Sequence, residues 1–180
     1  MSHVVILSGP SGAGKSRVAE ALAQRYDRTV HLETDLLFRA VRMGFIHPMR
    51  PESDRQNRMI SRAAARAASA FAQDLFAVFI DGVIGPHLLP IYVDELKVAA
   101  VPVHFVLLLP SVEESVRRVA SRAADSRLIE AEHRELHRGF AEHGAFAGCI
   151  IDNTAMTADE TADIVMEMCG RGDCLVYSPA

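Results

Sequence analysis

The sequence predicts an α/β fold, a three-layer sandwich around a central, mostly parallel five-stranded sheet. Three observations point there. Apolar, β-branched runs alternate with segments of helical periodicity, the pattern of strands joined by crossover helices. The first run leads straight into GPSGAGKS at residues 9–16, with helical spacing directly after it. Asp35 and Asp81 stand at or just past the ends of the second and third runs, and in such sheets ligands bind beyond the carboxyl ends of the strands.

The first strand, Val4–Leu7, is a short β-branched run suited to a buried parallel strand. The octapeptide after it fits G-x-x-x-x-G-K-[ST], with Gly9, Gly14, Lys15 and Ser16 at the fixed positions. Each residue type has a task. Glycines let backbone N–H groups curl round an anion without a Cβ in the way. Lys15 sets a cation against β- and γ-phosphates, and the Ser16 hydroxyl can join a Mg²⁺ shell. The helix predicted over Ser16–Tyr26 points its positive end at the same place, with Val18, Ala19, Leu22 and Ala23 inward. The expected nucleotide-binding set is therefore Gly9, Ser11, Gly12, Ala13, Gly14, Lys15 and Ser16. A bare Gly-rich turn needs neither Lys15 nor Ser16.

A second strand is predicted at Val30–Glu33, a helix over Leu36–Met43, and a loop over residues 44–51. Ser53-x-x-Gln56 reads as a capping box opening a long helix, whose apolar positions are Met59, Ile60, Ala63, Ala67, Ala70 and Phe71. The third strand is Ala77–Asp81, followed by a turn at Gly82, Gly85 and Pro86 and a helix over His87–Ala99. Val103–Leu109 is the strongest strand signal. Ser111-x-x-Glu114 caps the next helix, with Val112, Val116, Val119 and Ala123 inward; helical residues resume over Glu130–Glu142. Cys149–Asp152 is the last predicted strand, and Thr157-x-x-Glu160 caps the final helix. The strand-end rule then gathers the phosphate loop, Asp35, Asp81, Pro110, Ser111 and Asn153 round one crevice.

Composition narrows the function classes. The 180 residues, 49% of them hydrophobic and 23% charged, suit one globular domain spanning 1–180. A net charge of −4 gives no pull toward nucleic acid or an anionic membrane. The apolar start is too short for a secretory signal and no run approaches the roughly 20 apolar residues of a spanning helix, so a cytoplasmic protein is expected. Three cysteines, at positions 149, 169 and 174, match no C-x-x-C spacing and read as free thiols.

Residues 9–16, the TDLLFRAV segment at 34–41, FIDGVIG at 79–85 and IIDNT at 150–154 together resemble chloramphenicol phosphotransferase. More broadly they are similar to small-metabolite kinases such as shikimate and gluconate kinases. The resemblance implies a P-loop NTPase fold of the nucleoside-monophosphate-kinase type. It implies ATP and Mg²⁺, and transfer of the γ-phosphoryl group to a hydroxyl of a small molecule, with antibiotic modification as one setting. Asp35 then stands where this group places the carboxylate that accepts the hydroxyl proton. Asp81 matches the acid near the Mg²⁺ shell, with Ser16 as its partner. At Gly82 the chain departs from chloramphenicol phosphotransferase, which has a second acid there.

Phosphoryl transfer asks for the same parts on chemical grounds: positioning, charge neutralisation and one base for the attacking oxygen. The plainer alternatives are an N-cap role for Asp35 on the helix over Leu36–Met43 and a turn role for Asp81. A lid is expected over about 117–130, with Arg127 as a catalytic phosphate contact and Arg118 and Arg122 on the nucleotide; a solvated basic helix end is the alternative. A substrate-binding helical region is expected over about 36–75. There Arg55, Arg58, Arg62 and Arg66 form a stripe that meets an anionic acceptor or is merely exposed, after a loop that carries Phe45, His47 and Met49; Gly85-Pro86-His87 lines the acceptor pocket or is a plain turn. His133 and His137 lack the H-E-x-x-H pattern and read as a solvated helix face, and Gly170–Cys174 as flexible tail. Two other functions stay open: a nucleotide or nucleoside monophosphate kinase, and a regulatory ATPase without an acceptor.

Overall fold

The computed structural model describes residues 2–121, 130–142 and 148–179. Five parallel strands form the sheet in the order β2-β3-β1-β4-β5, with β1 at Val4–Ser8, β2 at Thr29–Glu33, β3 at Ala77–Asp81, β4 at Val103–Leu108 and β5 at Ile150–Ile151. β1 lies at the centre, with Leu7 opposite Asp81 on one side and Val106 on the other. β1, β3 and β4 are buried along their whole length, and their alternation splits the core into two layers. Val4, Ile6, Val78, Ile80, Val103, Phe105 and Leu107 face one layer; Val5, Leu7, Phe79, Val106 and Leu108 face the other.

Helices α1 (Lys15–Ala23) and α7 (Ala158–Arg171) cover the second of these faces through Val18, Ala19, Leu22, Ala162, Val165 and Met168. Helices α3 (Asp54–Gln73) and α4 (Leu89–Leu96) cover the first. The three predicted layers are present. The remaining α-helices among the described residues are α2 (Thr34–Ala40), α5 (Val112–Ala120) and α6 (Glu130–Ala141). None of the helices among the described residues is long and apolar enough to cross a membrane.

A sixth strand, β6 (Leu175–Tyr177), extends the predicted five. It runs antiparallel beside the amino half of β4, pairing Tyr177 with Val103, while β5 takes the carboxyl half. The stretch read as a flexible tail is thus ordered. Gly172 at φ 76° ends α7, Arg171 pairs with Glu167 and Asp173, and Cys174 is buried. An unpaired half-edge of a central strand is a costly thing to leave open, and Leu-Val-Tyr is a good β-former for it.

Two helix faces differ from expectation. α3 buries Ile60, Ser61, Ala64, Ala65, Ala68 and Ala72, while Met59 and Phe71 are exposed. Alanines lie on every side of this helix, and the small ones at 64, 65 and 68 pack against the sheet and α4. α6 turns His133, Leu136, His137 and Phe140 inward rather than to solvent: His133 is 1% exposed, and the His137 Nε2 lies 2.7 Å from the Pro110 carbonyl. The spacing 133, 136, 137, 140 is one helical face, and Leu136 and Phe140 set its direction. Ser111 and the full Thr157–Glu160 capping box hold as predicted.

Candidate functional site

The phosphate-loop sequence wraps tightly because three of its positions lack a side chain. A Cβ on Gly9 would stand 2.3 Å from the Leu108 carbonyl oxygen, and one on Gly12 2.4 Å from that of Ser115. Gly14, at φ 90°, is the N-cap of α1 and offers no side-chain cap, so the first N–H groups of the helix stay directed at the loop. Lys15 begins α1, and its Nζ lies 2.9 Å from both the Gly9 and Pro10 carbonyls, at the mouth of the loop. Ser16 follows, exposed. Ser11, Gly12 and Ala13 complete the curl, with Ala13 fully buried.

Neighbouring elements brace the loop. The Ser115 hydroxyl of α5 donates to the Ser11 carbonyl at 3.0 Å, and the Asn153 amide beyond β5 donates to that of Ala13 at 2.9 Å. Arg118 reaches in from α5, donating to the Asn153 and Thr154 carbonyls and, at 2.6 Å, to Glu114. The hydrogen bonds of Arg117 and Arg118 hold the Glu114 carboxyl down at about 2. Asn153 was expected in this crevice from its strand end; Ser115 was not, since a serine inside a helix carries no distinctive signal. Arg122 and Arg127 lie outside the described residues, as do residues 122–129 of the predicted lid.

Asp81 ends β3 and is 4% exposed. Its Oδ2 lies 2.7 Å from the Nε2 of His31 on β2, a pairing absent from the sequence reading. Burial works against a charged His31. The hydrogen bond and charge of Asp81, with Glu33 and Glu20 behind them, outweigh it and raise the imidazole above its ordinary value. One hydroxyl at Ser16 and one carboxylate at Asp81 are a hard, oxygen-only donor pair, which fits Mg²⁺ held mainly by phosphate oxygens and water.

Gly82 has a packing reason. A Cβ there would stand 2.2 Å from the Oγ1 of Thr34 and 3.0 Å from its Cγ2, so the Thr34 side chain fills the place a second acid would need. Gly82→Ala is expected to destabilise by about 1–3 kcal/mol, the usual cost of overpacking. Adding Thr34→Ala, which removes the two closest atoms, should recover most of that loss in urea unfolding; equal stability of Gly82→Ala and the parent would contradict the packing.

Asp35 lies in the first turn of α2. The helix starts at Thr34 with Glu33 as N-cap, so the N-cap alternative for Asp35 does not apply. Asp35 is exposed, and it lines a cavity of about 860 Å³ that also takes in Ser11 of the phosphate loop. The walls are largely apolar, with Phe38, Phe45, Met49, Ile60, Leu88 and Phe140 among them. Arg39, Arg50, His47 and His87 add polar groups. Burial pushes the Tyr92 phenol up to about 12, against the hydrogen bond from Ser61, so this wall stays neutral.

The loop that closes the cavity is held by residues read as a capping box. Gln56 makes paired bonds to the Ile46 backbone, at 2.9 Å from its N–H and 2.6 Å to its carbonyl. The Ser53 hydroxyl donates to the Pro48 and Arg50 carbonyls, and no side chain caps α3. Both residues spend their polar atoms on the backbone of residues 46–50. The arginine stripe faces away: Arg58 pairs with Asp54, Arg62 and Arg66 pair with Glu95, and none of Arg55, Arg58, Arg62 and Arg66 lines the cavity.

A sequence profile of the AAA domain family matches residues 4–143. The chain belongs to this family. A sequence comparison with curated proteins gives no match. Among solved structures, the tunicamycin resistance protein of Deinococcus radiodurans is similar over 100% of both chains, at 17% identity and a TM-score of 0.71. A sugar kinase from Janibacter sp. HTCC2649 is similar over 94% of this chain and 95% of its own, at 16% identity and a TM-score of 0.70. A shikimate kinase from Acinetobacter baumannii is similar over 96% and 94%, at 18% identity and a TM-score of 0.58. The fold is that of the small-metabolite P-loop kinases, as the sequence resemblance implies.

Proposed function

We propose that the protein is an ATP-dependent kinase that transfers the γ-phosphoryl group to a hydroxyl of a small molecule with a substantial apolar body. One observation carries this reading: Ser11 of the phosphate loop and Asp35 line the same cavity. About 860 Å³ lies near the top of the range for drug-sized ligands, and its apolar walls suit an acceptor larger and less polar than a simple sugar acid.

In this reading residues 9–16 cradle the triphosphate, and Lys15 neutralises charge that grows on the transferring group. Asp35 accepts the proton of the acceptor hydroxyl as its oxygen bonds to the γ-phosphorus; the bond to the β–γ bridging oxygen breaks and ADP leaves. Ser16 and Asp81 would hold Mg²⁺, which supplies charge neutralisation across the phosphates. Arg118, braced by Glu114, lies on the nucleotide side, and Arg127 and Arg122 complete the proposed cationic set. α2 and the start of α3 form the acceptor side, within the region over 36–75. The orientation of the arginine stripe argues against a monophosphate acceptor held by Arg55–Arg66.

The test is ADP release with ATP and Mg²⁺ across a panel of antibiotics, sugars, sugar acids, nucleosides and nucleoside monophosphates. Turnover that depends on a hydroxyl acceptor supports the kinase. Equal rates in all mixtures would make it an ATPase without an acceptor, and stimulation by nucleoside monophosphates alone would make it a nucleotide kinase. Once an acceptor is found, Phe45→Ala should raise its KM by about 10-fold or more, the worth of one buried aromatic contact, and leave the KM for ATP unchanged. An unchanged acceptor KM would remove Phe45 from the pocket.

A further inference from the structure

The opposite end of the sheet carries a second cluster of reactive side chains. His104 near the start of β4, Cys169 in the last turns of α7 and Cys174 just before β6 bring their donor atoms within 4.8 Å of one another. The two Sγ atoms are 3.6 Å apart, and Cys174 Sγ is 3.7 Å from His104 Nδ1. The chain goes to some length to gather them. Gly172 turns back at the end of α7, with its N–H on the Cys169 carbonyl and the Asp173 N–H on that of Met168. This places Cys174 against Cys169, and the Phe105 N–H fastens the Cys174 carbonyl to β4 at 2.9 Å. The pleat of β4 puts His104 on the same face as Val106 and Leu108, where α7 packs.

We propose that Cys169, Cys174 and His104 form a zinc-binding site. Tetrahedral zinc, with bonds of about 2.3 Å to sulfur and about 2.0–2.1 Å to nitrogen, sets neighbouring donors about 3.5–3.8 Å apart. The Sγ–Sγ and Cys174 Sγ–His104 Nδ1 distances match this, and the third pair of donors lies within 4.8 Å. Two thiolates and a neutral imidazole cancel the charge of a divalent ion. A mostly buried site can therefore hold it without stranding a charge. Cys149 is not among the donors that lie within 4.8 Å of one another. A Cys169–Cys174 disulfide would use the two sulfurs and leave the aim of His104 unexplained. Three protein donors leave the fourth position to water. The site lies four residues along β4 from Leu108, about 13 Å at the usual strand rise, so the ion would staple α7 and β6 to β4 and take no part at the phosphate loop.

The experiment titrates the full chain, kept reduced, with Co²⁺ and then displaces it with Zn²⁺. One equivalent of Co²⁺ with sulfur-to-cobalt charge-transfer absorption, lost on adding zinc, is expected. Loss of an outer-shell partner of a metal costs 10–100-fold in affinity, so Cys169→Ser and Cys174→Ser should each weaken binding by at least about 100-fold. Cys169 is half-buried, and Cys169→Ser should keep a cooperative melt even if Cys174→Ser does not fold. Absence of the charge-transfer band would overturn the proposal. So would unchanged affinity in Cys169→Ser, or a peroxide-treated chain that forms the 169–174 disulfide while the reduced chain binds no ion.

Discussion

Lys15→Ala is expected to lower turnover by about 10²–10³-fold or more while the protein folds normally. Removing one neutral donor from a site of developing charge already costs that much, and Lys15 contributes a full cation. Charge on the transferring phosphoryl group shifts as the reaction proceeds, so part of the loss falls on kcat and part on ATP affinity. Folding should be little affected: the side chain is half-buried, and its Nζ donates to two carbonyls of a loop that Ser115 and Asn153 also brace. Initial rates with saturating ATP, together with a melting curve, check both parts. A folded Lys15→Ala protein with near-normal turnover would detach the loop from the chemistry.

The parts of this molecule legible from the sequence share one property: their signal is local. β1, β3 and β4 are buried along their length, so they read as unbroken apolar runs. The phosphate loop is contiguous, so its motif is readable without the remote Leu108 and Ser115 backbone that its glycines pack against. The capping box at Thr157 needs only its own first turn. Misreadings gather where a residue's partner is remote. His31 and Asp81 are 50 positions apart, and only the pairing of β2 with β3 puts them on one face. Ser53 and Gln56 have the spacing of a capping box, yet the loop before α3 competes for the same polar atoms. In α3 the large residues Met59 and Phe71 suggest one face, while the sheet and α4 select the neighbouring one for its small side chains. The cavity is the fullest case. α2, the loop after it, the turn after β3 and α6 each supply a wall, and although the α6 helix was predicted, two histidines disguised its inward face.

Asp35→Asn should give a folded, ATP-binding and nearly inactive enzyme. The change keeps the size of the side chain and removes the carboxylate charge. Asp35 lies in the first turn of α2, where a negative charge is worth about 0.3–1 kcal/mol against the helix dipole, so the stability loss should stay within that range. No hydrogen bond or ion pair engages the Asp35 carboxylate among the described residues, so the substitution leaves no partner stranded. ATP binding should persist, because the phosphate loop follows β1 while Asp35 follows β2, two strands away in the sheet. Transfer to the acceptor should fall by about 10²–10⁴-fold, the usual worth of a positioned general base. The acceptor's own affinity should change little, since the apolar walls remain. Melting, ATP titration and initial rates on the same protein separate these effects. A normal rate with normal melting would reduce Asp35 to a helix-end charge. A lost rate together with lost ATP binding would place it on the nucleotide side instead. The lost rate with intact binding of both substrates is the outcome the shared cavity predicts.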